Sequence, residues 1–350
     1  MNKLKKKKVT MKDIAEKLNI SINAVSLALN DKDGVSEKTK AEVIRIANEL
    51  GYLKVSSSNN KDKSKNICIL IESRYFRDVY FYSKVIIGIE NEARKNDYVI
   101  IVSLLDKYTF EVPTCITNKK VDGILIVGAI NDNYLEKILK YNIPVVLVDH
   151  ASFKLPTDAI LTQNFFGSYK ATNYLLEKGH KKIGFFGEID LTLSFKERWL
   201  GYSECMRRFY NYDDKTINKL FKYSIIKDVE KYVFKKDYKK ISEMILSLEE
   251  LPTAFICSND DAALTLFNSL NSLGIRVPDD ISIIGFDDIE LCSLVNPNLT
   301  TMRIEKELMG QKAVKRLLWR MENRNAHIEH IKLDVKLIER GTVKSLNDRL

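Results

Sequence analysis

The sequence predicts an all-α head joined by a polar linker to a larger α/β core, in which helices cover both faces of parallel sheets. Three observations support this fold class. Residues 9–52 contain three short amphipathic helical segments, and residues 53–66 form a serine-, asparagine- and lysine-rich run without apolar periodicity. From Ile67 onward, short apolar strands alternate with amphipathic helices. The 350 residues are enough for more than one domain.

Capping chemistry marks where the three helices of the head begin. Thr10 precedes the first helix with Asp13 three residues later, which is the spacing of a capping box. Ser21 and Ser36 precede the second and third helices. The third helix carries an apolar stripe that we expect to face inward, formed by Val43, Ile44, Ala47 and Leu50.

The second helix presents two different faces. One arc holds the residues that can pack against a neighbouring helix, namely Ala24, Val25, Ala28 and Leu29. The opposite arc holds Ile22, Asn23, Ser26, Leu27 and Asn30. Small residues on the packing arc suit a helix-turn-helix, and the amide and hydroxyls of the outer arc suit contact with DNA base edges. A small helical bundle for protein contact is the alternative interpretation.

Positive charge is concentrated in the first part of the chain. Residues 1–66 carry 15 lysine and arginine side chains against 8 acidic ones, a net +7 out of the formal +9 of the whole chain. Such a segment favours binding to phosphate that weakens steeply with salt. The run Lys5 to Lys8 has the alternative interpretation of a solvated tail.

The strands and helices of the core follow from its hydrophobic pattern. Apolar runs predict strands at Ile67–Ile71, Tyr98–Leu104, Gly123–Val127, Pro144–Val148, Lys182–Phe186, Ala254–Cys257 and Ser282–Phe286. Amphipathic segments between them predict helices at Lys84–Arg94, Asn133–Tyr141, Phe166–Lys178, Phe195–Phe209 and Asp260–Leu273. Ligands on such sheets bind beyond the carboxyl ends of the strands.

Polar side chains are found at those strand ends. The candidates for binding a small molecule are Ser73, Asp149, Asn259 and Asp287, together with Arg198 in a nearby helix and Phe81 in an aromatic wall. Carboxylates, an amide and a guanidinium can pair with the hydroxyls of a sugar or with the polar edge of a similar small molecule. The alternative for each polar residue is a helix cap or turn former, and Asp260 and Asp288 in particular are predicted to be helix caps.

Other features argue against several classes of protein. No apolar run approaches the roughly 20 residues that span a bilayer, so we expect a cytoplasmic protein without membrane contact. The five cysteines are scattered, which predicts reduced packing residues, and neither they nor His327 and His330 have the spacing of a metal site. Without a glycine-rich phosphate loop or a GxSxG elbow, we expect no catalytic residues, no cofactor and no enzymatic activity.

Motifs throughout the chain resemble those of one family of bacterial transcription regulators, the lactose repressor and galactose repressor family. The segments that carry the resemblance are VTMKDIAEKLNIS, AVSLALN, GVSEKTKAEVIRIANELGY, VDGILI, PVVLVD, EKGHKKIGFFG, ERWLGY, SNDDAAL and ISIIGFDDIELCSLVNPNLTTM. Because they follow the family's order over nearly the whole chain, the likeness is highly specific.

The resemblance implies a domain organisation. A helix-turn-helix head would take residues 1–52, a hinge residues 53–66, and the remainder would form a core like that of the two-lobed periplasmic sugar receptors. The first lobe would hold about residues 67–162 and 295–324, and the second about residues 163–294 and 325–350, with three crossings between them.

The resemblance also implies roles for individual residues. The family's effector contacts fall on Arg198, Asn259, Asp287 and Asp149, which the strand ends indicate independently. Its base-reading positions fall on Ile22, Asn23 and Leu27. Its phosphate contacts fall on Thr10, Ser21, Ser26, Asn30, Ser36 and Thr39.

Two departures from the family pattern affect DNA recognition. The segment Ser21 to Asn30 lacks a basic side chain, so apolar Ile22 and Leu27 predict contact with thymine methyl groups, and Asn23 with adenine or an adjacent base edge. Partial packing of Leu27 against the third helix is the alternative. Residues 54–66 lack the proline, alanine and leucine of the family's hinge helix, which predicts lysine contacts to phosphate instead of a leucine wedge in the minor groove.

By this resemblance we expect a homodimer that binds a palindromic operator with A·T pairs opposite the recognition helix. A small molecule, which we expect to be a sugar, would bind between the lobes. It would control operator affinity because the protein has two conformations that bind the operator with different affinities. The protein would act as a repressor. The sequence leaves the sign of the response open. One alternative is a global regulator of the same family that is controlled by a protein corepressor, and a more remote one is a sugar receptor without a role on DNA.

Overall fold

The computed structural model describes residues 9–29, 34–50, 52, 64–105, 111–213 and 215–347. These form two compact units, one ending at Ser64 and one beginning at Lys65. The predicted phosphate contact Asn30 and nearly all of the predicted hinge lie outside the described residues. Within those residues, no helix is long and apolar enough to cross a membrane.

The N-terminal unit consists of three helices, α1 Met11–Leu18, α2 Ile22–Leu29 and α3 Glu37–Glu49. The predicted capping box is confirmed, because the Asp13 amide donates to Thr10 Oγ1 and the Thr10 amide donates to Asp13 Oδ2 at 2.6 Å. The predicted caps at Ser21 and Ser36 are confirmed as well. Each serine Oγ accepts a hydrogen bond from the amide three residues later, at 3.0 and 3.1 Å.

The three helices enclose a small hydrophobic core. Its buried members are Ile14, Ala15, Val25, Ala28, Val43, Ile46 and Ala47. The packing arc of α2 is therefore confirmed at Val25 and Ala28. The prediction that Ile44 faces inward is wrong, because Ile44 is 45% exposed. The inner stripe of α3 follows the spacing i, i+3, i+4 from Val43, which buries Ile46 and turns Ile44 to the surface.

The larger unit alternates strands with helices in the predicted way. Its described strands are β1 Asn66–Glu72, β2 Val99–Leu105, β3 Gly123–Val127, β4 Val145–Val148, β5 Asp158–Thr162, β6 Ile183–Phe186, β7 Ala254–Cys257, β8 Ser282–Asp287, β9 Thr300–Arg303, β10 His330–Leu333 and β11 Lys336–Ile338. Its described α-helices are α4 Ser73–Phe76, α5 Tyr82–Lys95, α6 Thr114–Thr117, α7 Asp132–Leu139, α8 Asn164–Glu177, α9 Leu193–Phe209, α10 Lys215–Lys222, α11 Glu230–Lys235, α12 Tyr238–Leu246, α13 Asp260–Ser272 and α14 Lys306–Glu322. A 3₁₀ helix at Glu290–Ser293 follows β8.

The strands form two sheets, which define two lobes. The first lobe contains the sheet with strand order β10-β5-β4-β3-β1-β2, and the second contains the sheet β11-β9-β8-β7-β6. All neighbouring strands are parallel except β11, which is antiparallel to β9. Central strands such as β3 and β7 are buried along their whole length, as parallel strands covered by helices on both faces should be.

The structure corrects the expected division between the lobes in two places. Residues 295–324 were expected in the first lobe, and α14 packs there, but β9 pairs with β8 in the second sheet. Residues 325–350 were expected in the second lobe, and β11 pairs there with β9, but β10 pairs with β5 in the first. The chain passes between the sheets after β5, after β9 and after β10. The reason is hydrogen bonding: each short strand takes the free edge of a parallel neighbour, which the apolar pattern does not specify.

The cysteines have the packing role that their scattering predicts. All five thiols are free, and four of them are buried, at positions Cys68, Cys205, Cys257 and Cys292. Cys115 is half-buried. Cys68, Cys257 and Cys292 thus belong to the apolar cores of the lobes.

Candidate functional site

The outer arc of α2 is available for contact. Ile22 is 50% exposed and Asn23 is exposed, while Ser26 and Leu27 are half-buried. Leu27 lies against the turn before α3, since a Cβ placed on Gly34 would be 3.2 Å from Leu27 Cδ1. The arc therefore offers one amide and one large apolar group to a partner, with Leu27 partly covered.

Four of the predicted phosphate contacts lie at helix N-termini, whereas Ser26 lies in the middle of α2. Thr10, Ser21 and Ser36 each precede a helix, and Thr39 Oγ1 lies 2.8 Å from Ser36 Oγ. The hydroxyls of Thr10, Ser21 and Ser36 already accept hydrogen bonds from backbone amides of the first turn. The N-terminal turn of a helix favours a phosphate, because its amide groups and its dipole both point toward an anion.

A cavity of 1240 Å³ lies between the two lobes. All six residues predicted to bind an effector line it: Ser73, Phe81 and Asp149 from the first lobe, and Arg198, Asn259 and Asp287 from the second. The parallel topology brings them together, because both sheets direct the carboxyl ends of their strands toward this space. Ligand pockets usually have about 300–1,000 Å³, so this cleft is wider than a small ligand requires.

Asp149 lies where the lobes approach each other. It follows β4 with a φ of 58°, in the left-handed region. Its carboxylate accepts a hydrogen bond at 2.9 Å from the hydroxyl of Tyr82 and one at 3.4 Å from Ser194 of the second lobe. Burial raises the pKa of the Asp149 carboxyl, and the positive charge of Arg198 opposes that rise.

Arg198 holds the second lobe's side of the cleft in place. The side chain is 3% exposed, and its guanidinium stacks 3.9 Å from the ring centroid of Phe286. Nε donates to Asn164 Oδ1 at 2.9 Å, Nη1 donates to the carbonyl of Ser258, and Nη2 donates to Asp287 Oδ1 at 3.2 Å. The protein itself therefore occupies all three nitrogens, so Arg198 positions Asp287 as well as lining the cleft.

Asp287 is the buried carboxylate at the end of β8. It is 8% exposed and has a φ of 120°, a backbone conformation that residues other than glycine rarely adopt. Burial raises the pKa of Asp287 to about 8, and the charge of Arg198 offsets part of this rise. Such a carboxyl can accept or donate a hydrogen bond near neutral pH, which suits a ligand hydroxyl.

The capping roles near the cleft differ from those expected. Asn259 is the N-cap of α13, with its Oδ1 accepting from the Ala262 amide at 2.8 Å. Asp260, predicted to be a cap, instead accepts hydrogen bonds from Thr301 and from the Ile289 amide.

Asp288 was also predicted to be a helix cap and is not one. Its carboxylate pairs with Arg303 at 2.6 Å and Arg340 at 2.7 Å. Asp260 and Asp288 both lie beside β9, so their carboxylates contact Thr301 and Arg303 of that strand and do not cap a helix.

Several residues that line the cleft were not identified from the sequence: Tyr75, Asp78, Glu188, Ser194, Glu230 and Phe234. Glu188 comes two residues after β6, so the strand-end rule could have indicated it. Glu230 begins α11, a short helix without a distinctive pattern. Ser194 carries no sequence feature that places it beside Asp149. Among the described residues, no group of three histidine, cysteine or acidic side chains is arranged to hold a metal ion.

Comparisons with known proteins agree with this architecture. Residues 10–54 match the family described as bacterial regulatory proteins, lacI family, and residues 172–343 match the periplasmic binding protein-like domain. The HTH-type transcriptional repressor PurR of Vibrio atlanticus is 30% identical over 348 residues, which cover 97% of this chain and 99% of that protein.

Two solved structures share the fold. A LacI family transcriptional regulator from Enterococcus faecium with bound ribose has a TM-score of 0.66 at 25% identity, covering 80% of this chain and 99% of that one. The lac repressor dimer bound to operator and the anti-inducer ONPF has a TM-score of 0.64 at 24% identity, covering 97% of this chain and all of that one.

Proposed function

Because the chain belongs to the lacI family of bacterial regulatory proteins, we propose that it is a transcriptional repressor whose affinity for an operator responds to a small molecule in the cleft. One observation carries the proposal. A single chain combines a three-helix unit with an exposed polar arc on α2 and a two-lobed unit whose cleft is lined by polar strand ends. A receptor without a role on DNA would have no use for the first unit.

The DNA contacts that we propose are those of the N-terminal unit. Residues 1–52 would form the reading head and residues 53–66 the hinge, with Ile22, Asn23 and Leu27 facing A·T base pairs in the major groove. The proposed phosphate contacts are Thr10, Ser21, Ser26, Asn30, Ser36 and Thr39. The exposure of Ile22 and Asn23 and the positions of Thr10, Ser21, Ser36 and Thr39 at helix N-termini support this assignment.

The effector that we propose is a sugar or a closely related polyol. Asp149 and Asp287 would bind its hydroxyls, Arg198 and Asn259 would position the site, and Ser73 and Phe81 would line it. The bound ribose in the Enterococcus faecium relative supports this class of ligand. Because the cavity exceeds the volume of one sugar, the lobes would close around it, which gives the effector a preference for one conformation.

We propose that the protein acts in the cytoplasm as a homodimer on a palindromic site. The first lobe carries exposed apolar side chains on α5 and on the edge strand β2, namely Ile87, Val99, Val102 and Leu104. Such a patch beside the outermost described strand of the sheet favours burial against a second copy. The related lac repressor is a dimer in its complex with operator.

Selection of DNA fragments by the full-length protein tests the proposal. We expect enrichment of palindromes with A·T-rich half-sites, and an affinity that falls at least about tenfold between 50 and 200 mM salt. A matched variant, Asn23→Ala, should fold normally because Asn23 is exposed, and it should lose about 1–3 kcal/mol of discrimination at one base pair per half-site. No preference over random DNA, with or without sugars present, would refute the proposed function.

A further inference from the structure

The charges that line the cleft are unevenly balanced. Eight carboxylates face it against five lysine and arginine side chains. Three of those cations are already paired with lining carboxylates, through Arg74–Glu72 at 3.2 Å, Arg198–Asp287 at 3.2 Å and Lys231–Asp228 at 2.6 Å. Among the described residues, the remaining acidic groups of the lining include four without an ion pair to lysine or arginine: Asp78, Asp149, Glu188 and Glu230. The lining of the cleft therefore has more acidic than basic side chains.

Glu230 is one of these four acidic groups, and other acidic side chains lie near it. Its Oε1 accepts a hydrogen bond at 3.2 Å from the Ser258 hydroxyl. Burial, with the neighbouring charges of Asp261 and Glu188, raises the pKa of the Glu230 carboxyl to about 7. The charge of Arg198 offsets part of the effect of burial on the pKa of Asp149 and Asp287, whereas the charges that act most strongly on the pKa of Glu230 are those of Asp261 and Glu188.

The groups that face Glu230 come from several elements. Glu188 follows β6, Ser258 follows β7, and Asp261 lies in the first turn of α13. Lys236 contacts Asp261, and Lys231 on the same helix as Glu230 pairs with Asp228 instead. The acidic side chains of this corner are not arranged to hold a metal ion, since no described group of three has that geometry. A larger organic cation does not need such a cage.

Aromatic rings complete the surroundings. Tyr80 of the first lobe is 38% exposed and Phe234 of the second is 79% exposed, and both line the cleft. Exposed rings on both sides suit the apolar face of a sugar ring, and ring faces also attract cations. Closure of the lobes around a ligand would remove these rings from water.

We propose that the effector is a polyhydroxylated amine, such as an amino sugar, whose ammonium group lies beside Glu230 and Glu188 and whose hydroxyls reach Asp149 and Asp287. The inference rests on the proposed function in that it takes the cleft as the effector site. An ammonium group would pair with Glu230 and Glu188, which have no ion pair to lysine or arginine among the described residues, and it favours the ionised form of Glu230. A sugar phosphate or sugar acid would add negative charge beside these acidic side chains, so we expect the same groups to weaken its binding.

Calorimetric titration of the full-length protein at pH 7.5 with matched ligands tests the proposal. The pairs are glucosamine with glucose, galactosamine with galactose and mannosamine with mannose, and N-acetylglucosamine, glucuronate and glucose 6-phosphate serve as uncharged and anionic controls. In at least one pair we expect the amino sugar to bind about tenfold or more tightly than its neutral partner, the effect of one charge-assisted hydrogen bond. A neutral or anionic ligand that binds as tightly as the tightest-binding amino sugar, or a failure of all three amino sugars to bind, would overturn the proposal.

Two variants locate the ammonium group. Glu230→Gln and Glu188→Gln should each reduce the preference for the amino sugar about tenfold while leaving the affinity for its neutral partner nearly unchanged. The control Glu243→Gln removes an exposed carboxylate of α12 that pairs with Lys240, so it should keep the full preference. Full preference in both cleft variants would refute the placement beside Glu230 and Glu188.

These outcomes are distinct from failure of the proposed function. Sugar titration reports on the cleft without DNA, and operator binding is measured without sugar. A protein that prefers amino sugars but binds no operator contradicts the proposed function alone. A protein that binds its operator and responds to a neutral sugar, with no advantage for the amine, contradicts only the inference about the effector.

Discussion

Glu230 links the stability of the core to pH. In the folded protein burial raises the pKa of its carboxyl to about 7, from the ordinary value of 4.5. Between these two pH values the folded protein holds a proton that the unfolded chain has released, so stability falls as pH rises from 4.5 to 7. We expect Glu230→Gln, which resembles the protonated acid, to raise the free energy of unfolding at pH 8 by about 1–3 kcal/mol. At pH 4 the variant should match the original protein.

Urea unfolding at pH 4 and pH 8, followed by the fluorescence of Trp199 and Trp319, measures this effect. Glu243→Gln serves as the control, because its carboxylate is exposed and the substitution should change stability little at either pH. An equal effect of Glu230→Gln at the two pH values would show that the carboxyl titrates normally in the folded protein.

At the residue scale, the sequence could identify candidate binding residues but not the side chains that they contact. The six effector candidates line one cavity because parallel strands end at a common edge, which is a property of the fold class. Arg198 donates hydrogen bonds to Asn164 and Asp287, which belong to elements far from it in the sequence. The contact of Ser194 with Asp149 crosses between the lobes. Neither relation leaves a local pattern.

At the element scale, a strand was predictable where its sequence contains a continuous apolar run. Strands β1, β3, β7 and β8 contain such runs and were predicted to within one residue at each end. Strand β9 is buried as well, but Thr300 and Thr301 are polar, and their hydroxyls are satisfied by the Arg340 amide and by Asp260. Hydrophobic periodicity does not register a buried strand of this kind. The partly exposed strands β10 and β11 leave only a weak pattern.

Helices α5 and α14 depend on glycine where they cross in the first lobe. A Cβ added to Gly88 would lie 2.0 Å from the Glu307 carbonyl oxygen, and one added to Gly310 would lie 2.1 Å from the Val85 carbonyl oxygen. Both obstacles are backbone atoms, so the helices would have to separate. We expect Gly310→Ala to lower the free energy of unfolding by about 1–3 kcal/mol or more, although alanine favours helix formation.

Chemical denaturation of the full-length protein measures this loss. The matched control is Lys312→Ala, an exposed position on the same helix, which should change stability by no more than about 0.5 kcal/mol. If Gly310→Ala were as stable as the control, the close approach of α5 and α14 would not contribute to packing.

At the scale of the whole molecule, a ligand in the cleft acts on the rest of the protein by changing the arrangement of the two lobes. The three chain crossings join the lobes, and side-chain contacts also span them. Lys84 of α5 pairs with Glu290 of the second lobe at 3.0 Å, and Ser194 contacts Asp149 at 3.4 Å. The ion pair is exposed and worth at most about 1 kcal/mol, so a bound ligand can shift the balance between open and closed arrangements.

Coupling between the cleft and operator DNA must be reciprocal if both sites act on one conformational equilibrium. We expect the tightest-binding sugar of the calorimetric panel to change operator affinity by a factor of about 5–150, in either direction. Saturation with operator should then change the affinity for that sugar by the same factor. Fluorescence anisotropy with labelled operator gives the first factor, and calorimetry of the protein–operator complex gives the second. A random duplex of equal length should produce a smaller change in both measurements, because it lacks the specific contacts of α2. Two factors that differ by more than experimental error would mean that sugar and operator do not act on a shared equilibrium.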